Sequence, residues 1–214
     1  MAYALLSETA APVPRMSAAI ERLGVSMSFA KGREIFGQDQ DADLIHALAS
    51  GAVRTTHMLS DGRRQIGNFY YGGDVIGPET RAVHRFSAEA LADCTIRVVK
   101  RSTLHMVDRD GELESAIREA TRRELERTQE HLLTLGGKTA CQRVASFLMS
   151  MAEPHAAVRV SLPMTRQDMA DYLDLTIETV SRMVTQLQVL HIVEFTGSRE
   201  FRVKRWDELQ HLAA

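Results

Sequence analysis

Residues 165–195, TRQDMADYLDLTIETVSRMVTQLQVLHIVEF, constrain the fold more than any other part of this chain. Thr165 precedes a short helical pattern and has Asp168 three residues later, which is the spacing of a capping box. Asp174 follows at the turn, where it tolerates the left-handed conformation better than most residues do. Thr176 then caps a second helix. Two helices joined by a tight turn and followed by a hairpin pattern predict a winged helix-turn-helix.

The second helix has one apolar and one polar face. Its inward face is predicted to contain Val180, Met183, Val184 and Leu187, and its outward face Ile177, Glu178, Ser181, Arg182 and Thr185. Arg182 can donate two hydrogen bonds to O6 and N7 of a guanine, and Glu178 can accept one from N4 of a cytosine. Ser181 is short enough to approach a neighbouring base or a thymine methyl group. The pattern predicts that this helix reads base edges in the major groove of DNA.

Base reading is assigned to Ile177, Glu178, Ser181 and Arg182, and contacts with backbone phosphates to Arg166, Thr176 and Thr179. An alternative is that Glu178 and Arg182 form only an exposed i,i+4 ion pair, which stabilises a helix by about 0.3 kcal/mol. The hairpin pattern that follows, with apolar runs at 192–195 and 201–204 around Gly197-Ser198, favours base reading.

Residues 25–106 are predicted to form a separate β domain. Short apolar runs at 44–48, 65–70 and 95–99 are strand candidates. Asp61-Gly62 predicts a hairpin turn because this dipeptide suits positive φ. Strands of this length and spacing predict an antiparallel roll or barrel. Residues 1–24 are interpreted as an N-terminal extension, broken by Pro12 and Pro14 and containing a short helix at 18–23.

Residues 107–136 are predicted to form one long helix. It carries a broken apolar stripe of Leu113, Ile117, Ala120, Leu132 and Leu135. A stripe this narrow favours pairing with a second copy of the same helix, and the alternative is packing on the chain's own roll. Gly136-Gly137 is predicted to break the helix and to open a DNA-binding domain at 137–214. A further helix is expected from Thr139 to Met151, with Pro154 stopping it. The predicted fold class is α+β.

Composition excludes several classes of protein. No apolar run approaches the ~18 residues that cross a membrane, and no basic leader precedes the first apolar residues, so a cytoplasmic protein is expected. Two cysteines in 214 residues do not form a disulfide scaffold. The formal net charge of −2 is low for a DNA-binding protein. However, the last fifty residues contain Arg166, Arg182, Arg199, Arg202, Lys204 and Arg205. The C-terminal third of the sequence contains no nucleophile–base set and no phosphate loop, so an enzyme is not expected.

The sequences TRQDMADYL at 165–173 and TIETVSR at 176–182 resemble the DNA-reading region of the Crp/Fnr superfamily of transcription regulators. GGDVIG at 72–77, HRFSAEA at 84–90 and QRVASFL at 142–148 extend this resemblance and are similar to its FixK-like branch. The resemblance implies a homodimer that reads a palindrome near TTGA-N6-TCAA and contacts RNA polymerase. Arg182 and Glu178 would then read the G·C pair and Ser181 a thymine. It also implies control of microaerobic, denitrification or nitrogen-fixation genes.

No bound cofactor is expected, because the chain departs from the ligand-binding patterns of the family. Cyclic nucleotide binders of the family have a Gly-Glu-Leu … Arg-Ser-Ala arrangement, whereas this chain has Gly73-Asp74-Val75 and Arg85-Phe86-Ser87. Its two cysteines cannot supply the four thiolates of an iron–sulfur cluster. His46, His57 and His84 have no spacing diagnostic of haem ligation. The alternative is a regulator that holds haem or an unrecognised ligand in the roll.

The cysteines are interpreted from their positions. Cys94 lies on a predicted strand and is expected in the core. Cys141 lies in the helix after the double glycine, where a structural thiol is favoured over a redox switch.

Overall fold

The computed structural model describes residues 18–79, 81–103, 111–152 and 159–214. Contacts divide the chain into two compact units, one ending at Thr128 and the other beginning at Gln129. The predicted helix breakers Pro12, Pro14 and Pro154, and the predicted helical residues 107–110, lie outside the described residues. In these four ranges, the helices lack the combination of length and hydropathy required to cross a membrane.

Before the long helix, the described residues of the first unit form one short helix, eight strands and a 3-10 turn at Arg101–Thr103. The elements are α1 (Ala18–Leu23), β1 (Val25–Phe29), β2 (Glu34–Phe36), β3 (Leu44–Ser50), β4 (Ala52–Met58), β5 (Arg64–Tyr71), β6 (Val75–Ile76), β7 (Ser87–Ala90) and β8 (Cys94–Lys100). They form two antiparallel sheets of four strands each, in the orders β1-β8-β3-β6 and β2-β7-β4-β5. The predicted antiparallel roll is therefore confirmed.

Local sequence accounts for the predicted strands. All three strand candidates lie within β3, β5 and β8. Gly62 adopts a φ of 84° in the turn between β4 and β5, as the Asp-Gly signal predicts. Alternate side chains of the strands point inward, and Leu48, Val53, Tyr70 and Ile96 form part of the core between the sheets. Cys94 belongs to the same core, with 3% of its surface exposed.

The apolar residues of the long helix α2 (Glu112–Gly137) lie in two different environments. Leu113 is fully buried, and Ile117 packs with it against Ile20 and Ile45 of the roll. The alternative of packing on the chain's own roll is therefore correct for the first turns of the helix. Farther along, Leu125, Leu132 and Leu133 are 58%, 69% and 72% exposed on the single chain.

The prediction that Gly136-Gly137 breaks the helix was wrong by two residues. Both glycines are helical and are the last residues of α2. Thr139 then caps the next helix, where its side chain accepts a hydrogen bond from the backbone N–H of Gln142. The break consists of Lys138 and Thr139, because the capping box requires Thr139 to be extended.

In the part of the second unit that the structure describes, four helices and a small antiparallel sheet follow α2. The elements are α3 (Ala140–Met151), β9 (Val160–Ser161), α4 (Arg166–Leu173), α5 (Ile177–Val189), β10 (Val193–Thr196), β11 (Glu200–Val203) and α6 (Trp206–Ala213). The sheet has the strand order β10-β11-β9. The guanidinium of Arg143, in α3, donates hydrogen bonds to the carbonyl oxygens of Leu135 at 2.6 Å and of Leu173 at 3.0 Å. This guanidinium connects the end of α2 to the end of α4.

A buried histidine should make the stability of the roll depend on pH. Burial, with the nearby charges of His84 and Arg101, lowers the pKa of His46 to about 4 from its usual 6.5. The unfolded chain therefore binds a proton at higher pH than the folded chain, so stability should fall from pH 6.5 to pH 4. The titration of His46 should lower the free energy of unfolding by about 3 kcal/mol over this range, and His46→Leu should not show this decrease. Urea unfolding of both proteins across this range is the measurement, and parallel pH profiles would contradict the expectation.

Candidate DNA-binding interface

The two helices α4 and α5 begin with the predicted caps. The backbone N–H of Thr165 donates to Asp168 at 2.9 Å, and the N–H of Asp168 donates to the Thr165 hydroxyl at 3.1 Å. Asp168 has only 1% of its surface exposed, so this capping box is buried. Asp174 adopts the left-handed conformation at φ 52° and ψ 52°. Thr176 caps α5 by accepting from the N–H of Thr179 at 3.2 Å. The predicted helix-turn-helix is confirmed in these details.

The inward face of α5 packs against the rest of the unit. Val180, Val184 and Leu187 are at most 1% exposed, whereas Met183 is only partly buried. On the opposite face, Glu178, Ser181, Arg182 and Thr185 are exposed, and Ile177 is 36% exposed. The predicted base-reading side chains therefore lie together on one solvent-facing surface.

Glu178 and Arg182 do not pair with each other. Within the described residues, the Arg182 guanidinium has no ion pair or hydrogen bond. The pKa of Glu178 is lowered by hydrogen bonds from its own backbone N–H and from the Thr176 hydroxyl, both at the start of the helix. The alternative of a simple i,i+4 ion pair is therefore not found. Arg182 has its donors free, and Glu178 is held as a carboxylate one turn before it.

The three residues assigned to phosphates differ in their surroundings. The hydroxyl groups of Thr176 and Thr179 lie 3.1 Å apart at the start of α5, and Thr179 is partly buried. Arg166, the first residue of α4, lies over the ring of Phe195, with its Cζ 4.6 Å from the ring centroid. Burial lowers the pKa of Arg166, and its guanidinium makes no hydrogen bond or ion pair with a described residue.

The hairpin of β10 and β11 neutralises part of the predicted basic cluster. Glu194 accepts from Arg202 at 2.6 Å and forms an ion pair with Lys204 at 3.1 Å. Arg205 pairs with Glu208. The strand register places Glu194 opposite Arg202, so the alternation of the hairpin was the signal that could have shown this pairing. The cationic surface is therefore smaller than the count of basic residues suggests.

The structure also shows a side-chain contact of the hairpin that sequence reasoning did not predict. Arg159 donates to the hydroxyl of Thr196 at 2.8 Å, beside the hairpin turn. It lies outside the helix-turn-helix in sequence, and no motif marks it.

At the positions of the family's nucleotide-binding pattern, Asp74 and Ser87 are bound by other residues of the chain. Asp74 is 5% exposed, and its carboxylate is bound by Arg127 at 2.8 Å and by the N–H of Tyr71 at 3.0 Å. Ser87 accepts from the N–H of Gln38 at 2.9 Å, and Arg85 is exposed. The carboxylate that would meet a ribose is therefore already used within the chain.

A cavity of about 320 Å³ lies between α2 and the loop at Gly73, Asp74 and Val75. Its charged groups are largely paired with one another. Arg123 binds Glu119 at 2.9 Å. Glu124 accepts from the Tyr70 hydroxyl at 2.8 Å and from Asn68 at 3.2 Å, and burial raises the pKa of this carboxyl group. A phosphate entering here would face carboxylates and would have to displace existing ion pairs.

The three histidines of the roll and the two cysteines have the following surroundings in the structure. The rings of His46 and His84 lie 6.0 Å apart, and Phe36 stacks on His84. The Nδ1 atom of His57 lies 3.0 Å from the carbonyl oxygen of Arg85. Over the residues that the structure describes, no group of three or more His, Cys, Asp or Glu side chains could hold a metal ion. Cys94 is buried as predicted, and Cys141 is a partly buried free thiol.

Two family models together cover most of the chain. Residues 26–108 match the cyclic nucleotide-binding domain, and residues 142–212 match the Crp-like helix-turn-helix domain. The nitrogen fixation regulation protein FixK of Azorhizobium caulinodans is 42% identical over 92% of this chain and 83% of that protein. The protein of the same name from Rhizobium meliloti is 37% identical over 86% of this chain and 85% of that protein.

The solved structure of FixK2 from Bradyrhizobium japonicum has the same architecture. It superposes with a TM-score of 0.82 at 41% identity, covering 90% of this chain and 98% of that one. These relatives are regulators and not enzymes by name. The chain belongs to the Crp/Fnr family of transcription regulators, and its close relatives are FixK proteins.

Proposed function

We propose that this regulator binds, as a homodimer, a palindrome close to TTGA-N6-TCAA and reads each half-site with α5. The observation that carries the proposal is the exposed guanidinium of Arg182, which has no partner among the described residues and lies one turn after the carboxylate of Glu178. Arg182 donates to O6 and N7 of the half-site guanine, and Glu178 accepts from a cytosine N4. Ser181 and Ile177 contact the neighbouring bases, among them a thymine.

Phosphate contacts orient the helix on the duplex. Arg166, Thr176 and Thr179 lie at the beginnings of α4 and α5. The first turn of a helix has free N–H groups and the positive end of the helix dipole, both of which favour a phosphate. Contacts of this kind increase affinity for every sequence and do not select one.

The homodimer is proposed to form along the second half of α2. Leu125 and Leu132 are both more than half exposed and are seven residues apart, so they lie on one side of the helix. Polar pairs such as Arg122 with Glu126 lie beside them. A second copy of the helix would cover these leucines and would match the symmetry of a palindromic site.

Replacing Leu125 and Leu132 together by glutamate should convert the dimer into a monomer. Four carboxylates would then face each other across the symmetric interface, where leucine side chains had been buried. Sedimentation velocity at micromolar concentration is the measurement, and Met58→Glu is the matched control because Met58 is 54% exposed on the roll. A double variant that sediments as the wild-type protein does would exclude this interface.

Names of relatives support the physiological part of the proposal. Three are nitrogen fixation regulation proteins, and others are the transcriptional activatory protein AadR of Rhodopseudomonas palustris and the transcriptional activator protein FnrL of Cereibacter sphaeroides. We infer that this regulator controls genes of microaerobic or anaerobic metabolism, denitrification or nitrogen fixation. Contact with RNA polymerase follows from the same inference.

The protein is proposed to bind DNA without a cofactor or effector. The ion pair of Arg127 with Asp74 supports this, since it uses the carboxylate that a nucleotide would need. The competing proposal is a ligand of other chemistry, or haem, in the roll. Native mass spectrometry of freshly purified protein separates the two, because a retained small molecule would rule out the effector-free form.

The test of the function is a titration of the purified protein with two duplexes. One contains the proposed palindrome, and the other has each half-site G·C pair exchanged for C·G. Preference for the first duplex without any added effector is the expected result. Equal affinity for both would overturn the assignment of α5.

A further inference from the structure

We infer that Phe195 is a positioning residue for DNA binding and acts by holding the guanidinium of Arg166 for a phosphate contact. This inference rests on the proposed function. Phe195 lies in β10, whereas Arg166 is the first residue of α4. The contact between them joins the hairpin to the first helix of the DNA-binding motif.

The geometry is that of a cation held over an aromatic ring. The Cζ of Arg166 lies 4.6 Å from the centroid of the Phe195 ring. A guanidinium at this distance is attracted by the negative face of the ring. Since the guanidinium forms no hydrogen bond or ion pair with a described residue, the ring holds the cation and leaves its N–H donors free. Such an arrangement suits a side chain that must present its donors to a phosphate.

The ring itself is fixed from two sides. Phe195 stacks on Phe201 with centroids 5.3 Å apart and planes inclined by 21°, and Phe201 is only 1% exposed. The backbone N–H of Phe195 also donates to the side chain of Gln188 in α5 at 3.2 Å. Phe195 therefore contacts three elements: Phe201 in the neighbouring strand β11, Gln188 in α5, and Arg166 in α4.

The neighbouring cations of the hairpin are held differently. Arg202 and Lys204 are bound by the carboxylate of Glu194, so a phosphate would have to compete with it for them. Arg166 has an aromatic partner instead of an acidic one and keeps its full charge for DNA. Because the ring already restricts the Arg166 side chain, less side-chain entropy is lost when the guanidinium binds a phosphate. The ring does not neutralise the cation.

The experiment compares Phe195→Leu, Phe195→Tyr, Arg166→Gln and the double variant of Phe195→Leu with Arg166→Gln. Each full-length protein is titrated with the palindromic duplex and with a scrambled duplex at several salt concentrations. Phe195→Leu should weaken both complexes by the same factor, about two- to fivefold, which corresponds to the lower end of the range for cation–π contacts. It should also lower the salt dependence in the same direction as Arg166→Gln does.

Phe195→Tyr keeps the ring face and should bind as the wild-type protein does. In the Arg166→Gln background, Phe195→Leu should have no further effect, because the cation that it positions is gone. Thermal unfolding of each variant establishes that the hairpin is folded. If Phe195→Leu folds and either leaves affinity unchanged or weakens binding additively with Arg166→Gln, the positioning role is wrong.

Failure of the inference can be told apart from failure of the proposed function. When Arg166→Gln weakens binding to both duplexes but Phe195→Leu acts independently, only the role of Phe195 is contradicted. If the wild-type protein binds neither duplex, the proposed function fails and the inference fails with it.

Discussion

Arg182→Ala is expected to abolish the preference for guanine in the half-site. A bidentate contact of arginine with guanine contributes about 1–3 kcal/mol of discrimination, which is a ratio of affinities between roughly fivefold and 150-fold. Arg182 is suited to this contact because its guanidinium is exposed and has no partner among the described residues. The measurement is the dissociation constant for four duplexes that differ only at the guanine position. Wild-type protein should separate them, and Arg182→Ala should bind all four alike.

Arg166→Ala is the matched control for this prediction. Arg166 lies at the start of α4 and is assigned to a phosphate, so its loss should weaken binding to all four duplexes by one factor. The salt dependence of binding should decrease at the same time. If Arg182→Ala retained the wild-type ranking of the four bases, α5 would not be the base-reading helix.

Arg127→Ala is expected to destabilise the roll by about 3 kcal/mol, because removing one partner leaves the other charge buried and uncompensated. Its partner Asp74 is 5% exposed at the side chain, and Arg127 is 22% exposed, which favours the lower end of the usual range. Urea unfolding followed by circular dichroism is the measurement.

Arg122→Ala provides the comparison on the same helix. Arg122 also forms ion pairs, with Glu119 and Glu126, but all three side chains are largely exposed. Exposed pairs contribute little to stability, so the unfolding midpoint should hardly change. Asp74→Asn combined with Arg127→Ala should recover part of the lost stability, since the buried charge is removed as well. Equal midpoints for Arg127→Ala and Arg122→Ala would show that the Asp74 pair does not stabilise the roll.

The parts of the molecule that depend on local signals could be predicted from the sequence. Thr165, Asp174 and Thr176 mark the ends of α4 and α5 by side-chain chemistry that acts within a few residues. Periodicity alone separated the inward face of α5 from the outward face with Arg182. The hairpin turn at Gly62 follows from the same kind of local rule.

The parts that depend on distant partners could not be predicted. Asp74 and Arg127 are 53 positions apart, and only the packing of α2 on the roll brings them together. The apolar stripe of α2 gave no indication that Ile117 would pack on the roll while Leu132 stayed exposed. Likewise, the contact of Arg166 with Phe195 depends on how the hairpin folds back on α4.

We propose that the unliganded protein recognises DNA through one exposed guanidinium and one carboxylate on α5. The most direct measurement is selection of binding sites from fully randomised duplexes with the purified protein and no added effector. We expect enrichment of a palindrome whose half-sites contain the TTGA guanine, and loss of that guanine from the sites selected by Arg182→Ala. Recovery of random sequences by the wild-type protein, or of the same palindrome by Arg182→Ala, would contradict it.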